Sequence, residues 1–127
     1  MKILVADDDL VMRALISAYL HSILPKSIIH TAHDGAFAIH LWNKYKDYNL
    51  VITDYEMDNL NGDEVAKLIH SEDENIPIIC LTGRKDICTE ECPFFDMILE
   101  KPITKKQFRS EIMKILINYE NVNPTKR

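Results

Sequence analysis

Five short apolar runs punctuate the chain, and amphipathic stretches separate them. Lys2 to Ala6 is rich in β-formers and turns polar at once, which predicts a buried strand. Leu10 to Leu24 predicts a helix, with Leu15, Ala18, Tyr19 and Ser22 on one face and Leu20, Ile23 and Leu24 alongside. Asp9 offers an N-cap and Pro25 a stop. Ser27 to Ala32 predicts a second strand, and the turn His33-Asp34-Gly35 opens a second helix from Ala36 to Asp47. Leu50 to Thr53 predicts a third strand, a polar loop runs from Asp54 to Asn61, and a third helix spans Gly62 to Glu72. Ile78 to Leu81 predicts the fourth strand. Arg84 to Cys92 predicts a short or distorted fourth helix, broken at Pro93. Phe95 to Leu99 predicts the fifth strand, and Thr104 caps a fifth helix that ends near Tyr119.

Strand and helix thus alternate five times. Parallel strands need crossover connections, so the rhythm predicts an α/β fold with one doubly wound, five-stranded parallel sheet. The strands are apolar throughout rather than alternating, as when helices cover both faces. In such sheets ligands bind beyond the carboxyl ends of the strands.

The 127 residues suit one domain, expected over residues 1–120, with 121–127 as a polar tail or the start of a linker. A domain of that size buries roughly two thirds of its unfolded surface, enough for a core without staples. The formal charge of −5 argues against non-specific nucleic-acid binding, and no DNA-reading element is visible. No apolar run reaches the ~20 residues of a membrane span, and no secretion signal precedes the first strand. Three cysteines, none in a CxxC pair, fit a reducing cytoplasm better than a disulfide framework. Cys88 and Cys92 would share a helix face, where packing outweighs a metal or redox pair because no further ligand completes a set. The five histidines are scattered, and His33, nearest the active edge, reads as solvated.

Candidate chemistry gathers at the strand ends. Asp7, Asp8 and Asp9 follow the first strand, Asp54 the third, Thr82-Gly83 the fourth and Lys101-Pro102 the fifth. Singly, each is an ordinary cap, turn former or solvated charge. Together they land on one edge, where the carboxylates would repel one another and raise their own pKa values. A hard divalent cation resolves that conflict, and Mg²⁺ prefers a few carboxylates, water and phosphate oxygens. A carboxylate so neutralised is a competent nucleophile for phosphoryl transfer.

The segments ILVADDD, VITDYEM, ICLTG and LEKP resemble the four signature stretches of response-regulator receiver domains, across nearly the whole chain. The resemblance implies a flavodoxin-like sheet of strand order 2-1-3-4-5. It implies Asp54 as phosphoacceptor, and Asp7, Asp8 and Asp54 with the Glu56 backbone carbonyl around Mg²⁺. It implies Thr82 and the Gly83 amide bonding the phosphoryl group, Lys101 pairing with it, and a cis Lys101-Pro102 bond. The implied partners are a sensor histidine kinase or histidine phosphotransfer protein as donor, and an output protein or a second copy as target. Such a domain carries out its own phosphorylation and dephosphorylation and is not a turnover enzyme.

The chain departs from that pattern in places. Met57-Asp58 stands where Met-Pro is usual, which removes a stiffening residue and adds an acid near the metal. Ile98 occupies the switch position that usually carries an aromatic ring. The stretch from Thr82 to Lys101 is shorter than usual, so the output face is expected to differ. Glu56 and Arg84, two residues beyond Asp54 and Thr82, are expected to pair across the site and hinder the hydrolytic water; two solvated charges are the plain alternative. On the last helix Phe108, Ile112, Ile115 and Tyr119 form a stripe that Met113, Leu116 and Ile117 widen, which predicts a partner or dimer face beside the core contact.

Three other functions compete. A flavodoxin-type carrier would need a Gly, Ser and Thr-rich phosphate loop where three aspartates stand. An aspartate-nucleophile phosphatase would place its nucleophile after the first strand and needs a cap domain. A pseudo-receiver would be a constitutive interaction module with an idle pocket. A first strand beginning at Met1 points to a natural N-terminus; a complete single-domain regulator, the front of a longer one and a piece of a hybrid kinase all fit.

Overall fold

Strands β1 (Lys2–Ala6), β3 (Leu50–Thr53) and β4 (Ile78–Thr82) form the middle of the sheet and are buried almost end to end. β2 (Ile28–Ala32) and β5 (Met97–Glu100) flank them in the order β2-β1-β3-β4-β5, every pair parallel. This is the flavodoxin-like order. The computed structural model describes residues 1–122; the rest of the expected tail lies outside the described residues. Among the described residues no helix is long and apolar enough to cross a membrane.

Alternate strand residues feed two cores. Leu4, Ala6, Val51, Ile78 and Cys80 meet α2 (Gly35–Tyr45) and α3 (Gly62–Glu72) through Ala38, Trp42, Val65, Ala66 and Ile69. Ile3, Val5, Leu50, Ile52, Ile79 and Leu81 meet α1 (Leu10–Ile23) and α4 (Lys105–Val122) through Ile16, Leu20, Phe108 and Ile112. Both faces of the three central strands are therefore dry, which is why those strands carry no polar alternation, whereas edge strand β2 is partly exposed. Trp42, fully buried, donates from its indole nitrogen to Glu72 Oε2 at 2.7 Å and ties α2 to α3.

Three expectations change. The buried face of α1 is Ile16, Leu20 and Ile23, with Tyr19 and Leu24 partly covered; Leu15, Ala18 and Ser22 face solvent. Apolar residues encircle much of this helix, so periodicity left its rotation open and contact with β1 and α4 chose it. The described residues form four helices, because the stretch between β4 and β5 is built of turns, among them Cys92 N–H to Cys88 O at 3.0 Å and Phe95 N–H to Cys92 O at 3.2 Å. Pro93 removes a donor and divides the segment into pieces too short to repay helix nucleation. The segment still contributes core: Cys92 and Phe95 are buried, while Cys88 is exposed. The stripe on α4 is mostly core as well. Phe108, Ile112 and Ile115 are buried, Met113 and Leu116 pack beside them, and Ile117 alone of the widening set stands 58% exposed. β5 and the following loop offer Met97, Leu99 and Ile103 to that wider face.

Candidate metal centre at the carboxyl edge of the sheet

The strand register brings the chemistry together. Asp54 N–H donates to Ala6 O at 2.9 Å, which sets the first residue beyond β3 beside the end of β1. Lys101 N–H donates to Thr82 O at 2.8 Å and does the same for β5 and β4. Asp7 is anchored from three sides: its N–H reaches Ala32 O at 3.1 Å, its Oδ1 accepts from Asp9 N–H at 2.9 Å, and its carbonyl accepts from Arg13 Nη1 at 2.7 Å. Asp9 caps α1 through Val11 N–H and so leaves the cluster, as its role as cap predicts.

Asp7, Asp8 and Asp54 each offer a carboxylate oxygen within 4.8 Å of the other two. Asp7 is buried, Asp54 half-buried and Asp8 exposed. From the far end of the chain Lys101 Nζ enters the group, 2.8 Å from Asp7 Oδ2 and 3.2 Å from Asp54 Oδ2. Burial pushes the Asp54 carboxyl above its ordinary range, with Lys101 opposing and Asp7 adding to the rise. Burial and then the charge of Asp7 raise Asp8 too, and Asp58 contributes from the neighbouring loop. Burial alone would lower Lys101, but its bond to Asp7 and the charges of Asp54 and Asp7 hold its pKa above the usual value. One ammonium thus faces three carboxylates. That residual negative field, made wholly of oxygen donors and open to solvent through Asp8, fits a hard divalent cation.

Asp54 is presented by a tight loop. Tyr55 N–H donates to Asp54 Oδ1 at 2.7 Å, and Gly62 N–H to Tyr55 O at 2.7 Å. A Cβ on Gly62 would lie 2.0 Å from Asp54 O, so only glycine lets α3 start this close. Thr53, fully buried, donates to Asp54 O at 2.9 Å. Thr82 lies at the end of β4, 2% exposed, and its hydroxyl accepts from Arg84 N–H at 3.1 Å.

Residues 3–116 match the model of the response regulator receiver domain. The chain belongs to that family. Its receiver is 30% identical over 121 residues to the chemotaxis protein CheY homologue of Campylobacter jejuni subsp. jejuni serotype O:23/36, covering 91% of this chain and 92% of that one. It is 33% identical over 120 residues to the yeast (Saccharomyces cerevisiae) transcription factor SKN7, covering 92% of this chain and only 18% of SKN7. Among solved structures the receiver is similar to the Thermotoga maritima response regulator TrrA, which was solved with Mg²⁺-BeF (TM-score 0.81, 28% identity, 90% and 97% of the two chains). A Clostridium thermocellum receiver domain shares the fold (TM-score 0.84, 22% identity, 95% and 98% covered). The chain is accordingly a CheY-like domain of two-component signalling.

The receiver's fold brings Asp7, Asp8, Asp54 and Lys101 into one group, with Thr82 and Gly83 at the adjoining strand end. Glu56 and Arg84 do pair across the site, Nη1 to Oε1 at 3.1 Å, but Arg84 also binds Asp86 and stacks 5.1 Å from the Tyr55 ring centre. All three charged partners are exposed, so the pairing itself adds little stability. Ile98 is half-buried and packs against the core that holds α2 and α3. The Lys101-Pro102 bond is cis. Sequence reasoning overlooked Arg13 and Asn59. Nothing at Arg13 distinguishes it from a solvated helix residue; Asn59 carried one signal, as an Asn in a polar loop suited to the left-handed backbone it adopts (φ 72°).

Proposed function

We propose that this receiver accepts a phosphoryl group from the phosphohistidine of a sensor histidine kinase or histidine phosphotransfer protein onto Asp54, and that the modified site switches a protein-interaction surface. The observation that carries this reading is the Lys101 ammonium bridging Asp7 and Asp54, at 2.8 and 3.2 Å, inside the three-carboxylate group. Asp7, Asp8, Asp54 and the carbonyl of Glu56 would hold Mg²⁺, which when bound neutralises the phosphoryl oxygens. Asp54 attacks phosphorus in line, the phosphorus–nitrogen bond to the donor histidine breaks, and an aspartyl phosphate forms. Lys101 leaves its place between the carboxylates and pairs with the new dianion. Thr82 exchanges its contact with Arg84 N–H for a bond to a phosphoryl oxygen, and the Gly83 amide gives another. With aliphatic Ile98 at the switch position, the readout is a repacking of β5 against its neighbours rather than a ring rotation. The product is a signalling state that decays in place, not a released product, and its setting is the cytoplasm. The targets are an output protein or a second copy of the chain.

Incubation with acetyl phosphate and Mg²⁺, read by intact mass, tests this. One added phosphoryl group is expected, absent without Mg²⁺ and absent in Asp54→Ala. No mass gain in the unaltered chain would leave a constitutive interaction module, the pseudo-receiver, as the better description. The Arg84–Glu56 pair is expected to prolong the phosphorylated state by crowding the hydrolytic water. Phosphate release from Arg84→Ala should be faster, and unchanged or slower release refutes the role.

A further inference from the structure

The loop from Asp54 to Asn61 lacks the proline that stiffens it in the family pattern, yet it is not loose. Asn59, in the left-handed region, points its amide at the β2–α2 turn, where Nδ2 donates to Asp34 Oδ2 at 2.7 Å. The same Asp34 carboxylate caps α2 through Phe37 N–H at 2.7 Å, with its other oxygen. Backbone closes the contact: Gly35 N–H reaches Asp58 O at 3.4 Å. A Cβ on Gly35 would fall 2.1 Å from Leu60 O, so the loop lies directly on the helix start. The Asp34 side chain is 14% exposed, and its carboxyl is held below the usual range, by the Phe37 amide first and by the Asn59 amide among the rest.

We propose that Asn59 and Asp34 are positioning residues for the metal centre: a polar staple that docks the β3–α3 loop on the N-terminus of α2 and so supplies the rigidity that proline gives elsewhere. The inference rests on the proposed Mg²⁺ site, because the stapled loop carries both Asp54 and Glu56. One end of the staple is a helix cap, fixed by packed secondary structure, so the loop inherits the order of α2. Neither residue touches the site itself. They act as outer-shell partners act on ligands, by removing the conformations in which the loop points its oxygens elsewhere.

The test has two arms. In the metal-free protein, amide hydrogen exchange of residues 55–61 is compared between the unaltered chain and Asn59→Ala. Exchange is expected to quicken several-fold in that loop and nowhere in the sheet; unchanged loop exchange overturns the staple. In the second arm Mg²⁺ affinity is measured by calorimetry. Asn59→Ala should bind Mg²⁺ about 3- to 10-fold more weakly, the scale of one ordinary hydrogen bond's net contribution. Adding Asp58→Pro to Asn59→Ala should restore tighter binding, whereas adding Asp58→Ala, which removes the same acid without the ring, should not. Equal affinity in the two double variants overturns the equivalence of staple and proline. Failure of the unaltered chain to bind Mg²⁺ would instead overturn the functional reading, and with it the staple's service to the metal, while the exchange arm still decides whether the staple orders the loop.

Discussion

At the amino edge of the sheet, Lys2 meets Asp47 at 2.8 Å and lies 4.8 Å from the Tyr45 ring centre, while His30 Nδ1 and the Tyr48 hydroxyl share a hydrogen bond of 2.7 Å. Asn49 closes the end of β1 with two backbone-directed bonds. At the carboxyl edge, three carboxylates answer one ammonium, and two of them are pushed up in pKa. Both edges are built from the same strands. One has been brought to electrostatic balance and serves the fold; the other is left short of positive charge and open to solvent at Asp8. An unbalanced, preorganised field is a cost to the folded chain that a bound cation can convert into affinity.

The contrast between the two edges rests most directly on one lysine at each. Lys101→Met leaves Asp7 and Asp54, whose side chains are 6% and 12% exposed, without a cation. Urea unfolding in the absence of Mg²⁺ should show a loss of about 3 kcal/mol, the scale for stripping one partner from a buried pair. Millimolar Mg²⁺ should return part of it. No loss would mean that the carboxyl edge is as relaxed as its opposite.

The amino edge should reveal itself at high pH. Burial, reinforced by Tyr45 and Asp47, pushes Tyr48 to about 12 from the ordinary 10.0. The folded state keeps the phenol neutral, so its contribution is complete below pH 10. It is lost as the pH rises from there towards about 12, at about 1.4 kcal/mol per pH unit. Denaturation midpoints taken between pH 9 and 11 should fall in the parent and fall less steeply in Tyr48→Phe.

A smaller effect of the opposite sign belongs to Asp54, the proposed phosphoacceptor. Asp54 titrates above its unfolded value, chiefly through burial, so its ionised form weakens the fold once the pH exceeds that range. Asp54→Asn keeps an acceptor for Tyr55 N–H and drops the charge. It should stabilise the metal-free protein by about 1 kcal/mol, read as a Tm gain of a few degrees. A lower Tm would show that the Lys101 pairing outweighs the cost of burying the charge. Smallest of all, Lys2→Met breaks a pair whose Asp47 side is 61% exposed, and should cost less than about 1 kcal/mol. A loss as large as that of Lys101→Met would erase the distinction between the edges.

The alternation of apolar runs and amphipathic stretches by itself determined the parallel sheet, because continuous Ile, Val and Leu runs joined by crossovers have few other ways to satisfy their backbones. The strand-end residues Asp7, Asp8, Asp54, Thr82 and Lys101 were legible for the same reason: once the topology is set, residues just past each strand must meet on one edge. Tertiary structure alone decided matters of rotation and of short polar contacts. Ile16 rather than Leu15 enters the core because α1 is apolar on several sides and only the sheet beneath it chooses a face. In the β4–β5 crossover Pro93 announced the break in the helix, but that its turns would still bury Cys92 and Phe95 was settled by docking on the core. Asn59 met Asp34, and Arg13 met the Asp7 carbonyl, through single hydrogen bonds between distant or unremarkable positions. Hydrophobic period is written along the chain and survives in a string of letters; a polar contact depends on a distance of a few tenths of an ångström, which exists only after the elements have docked.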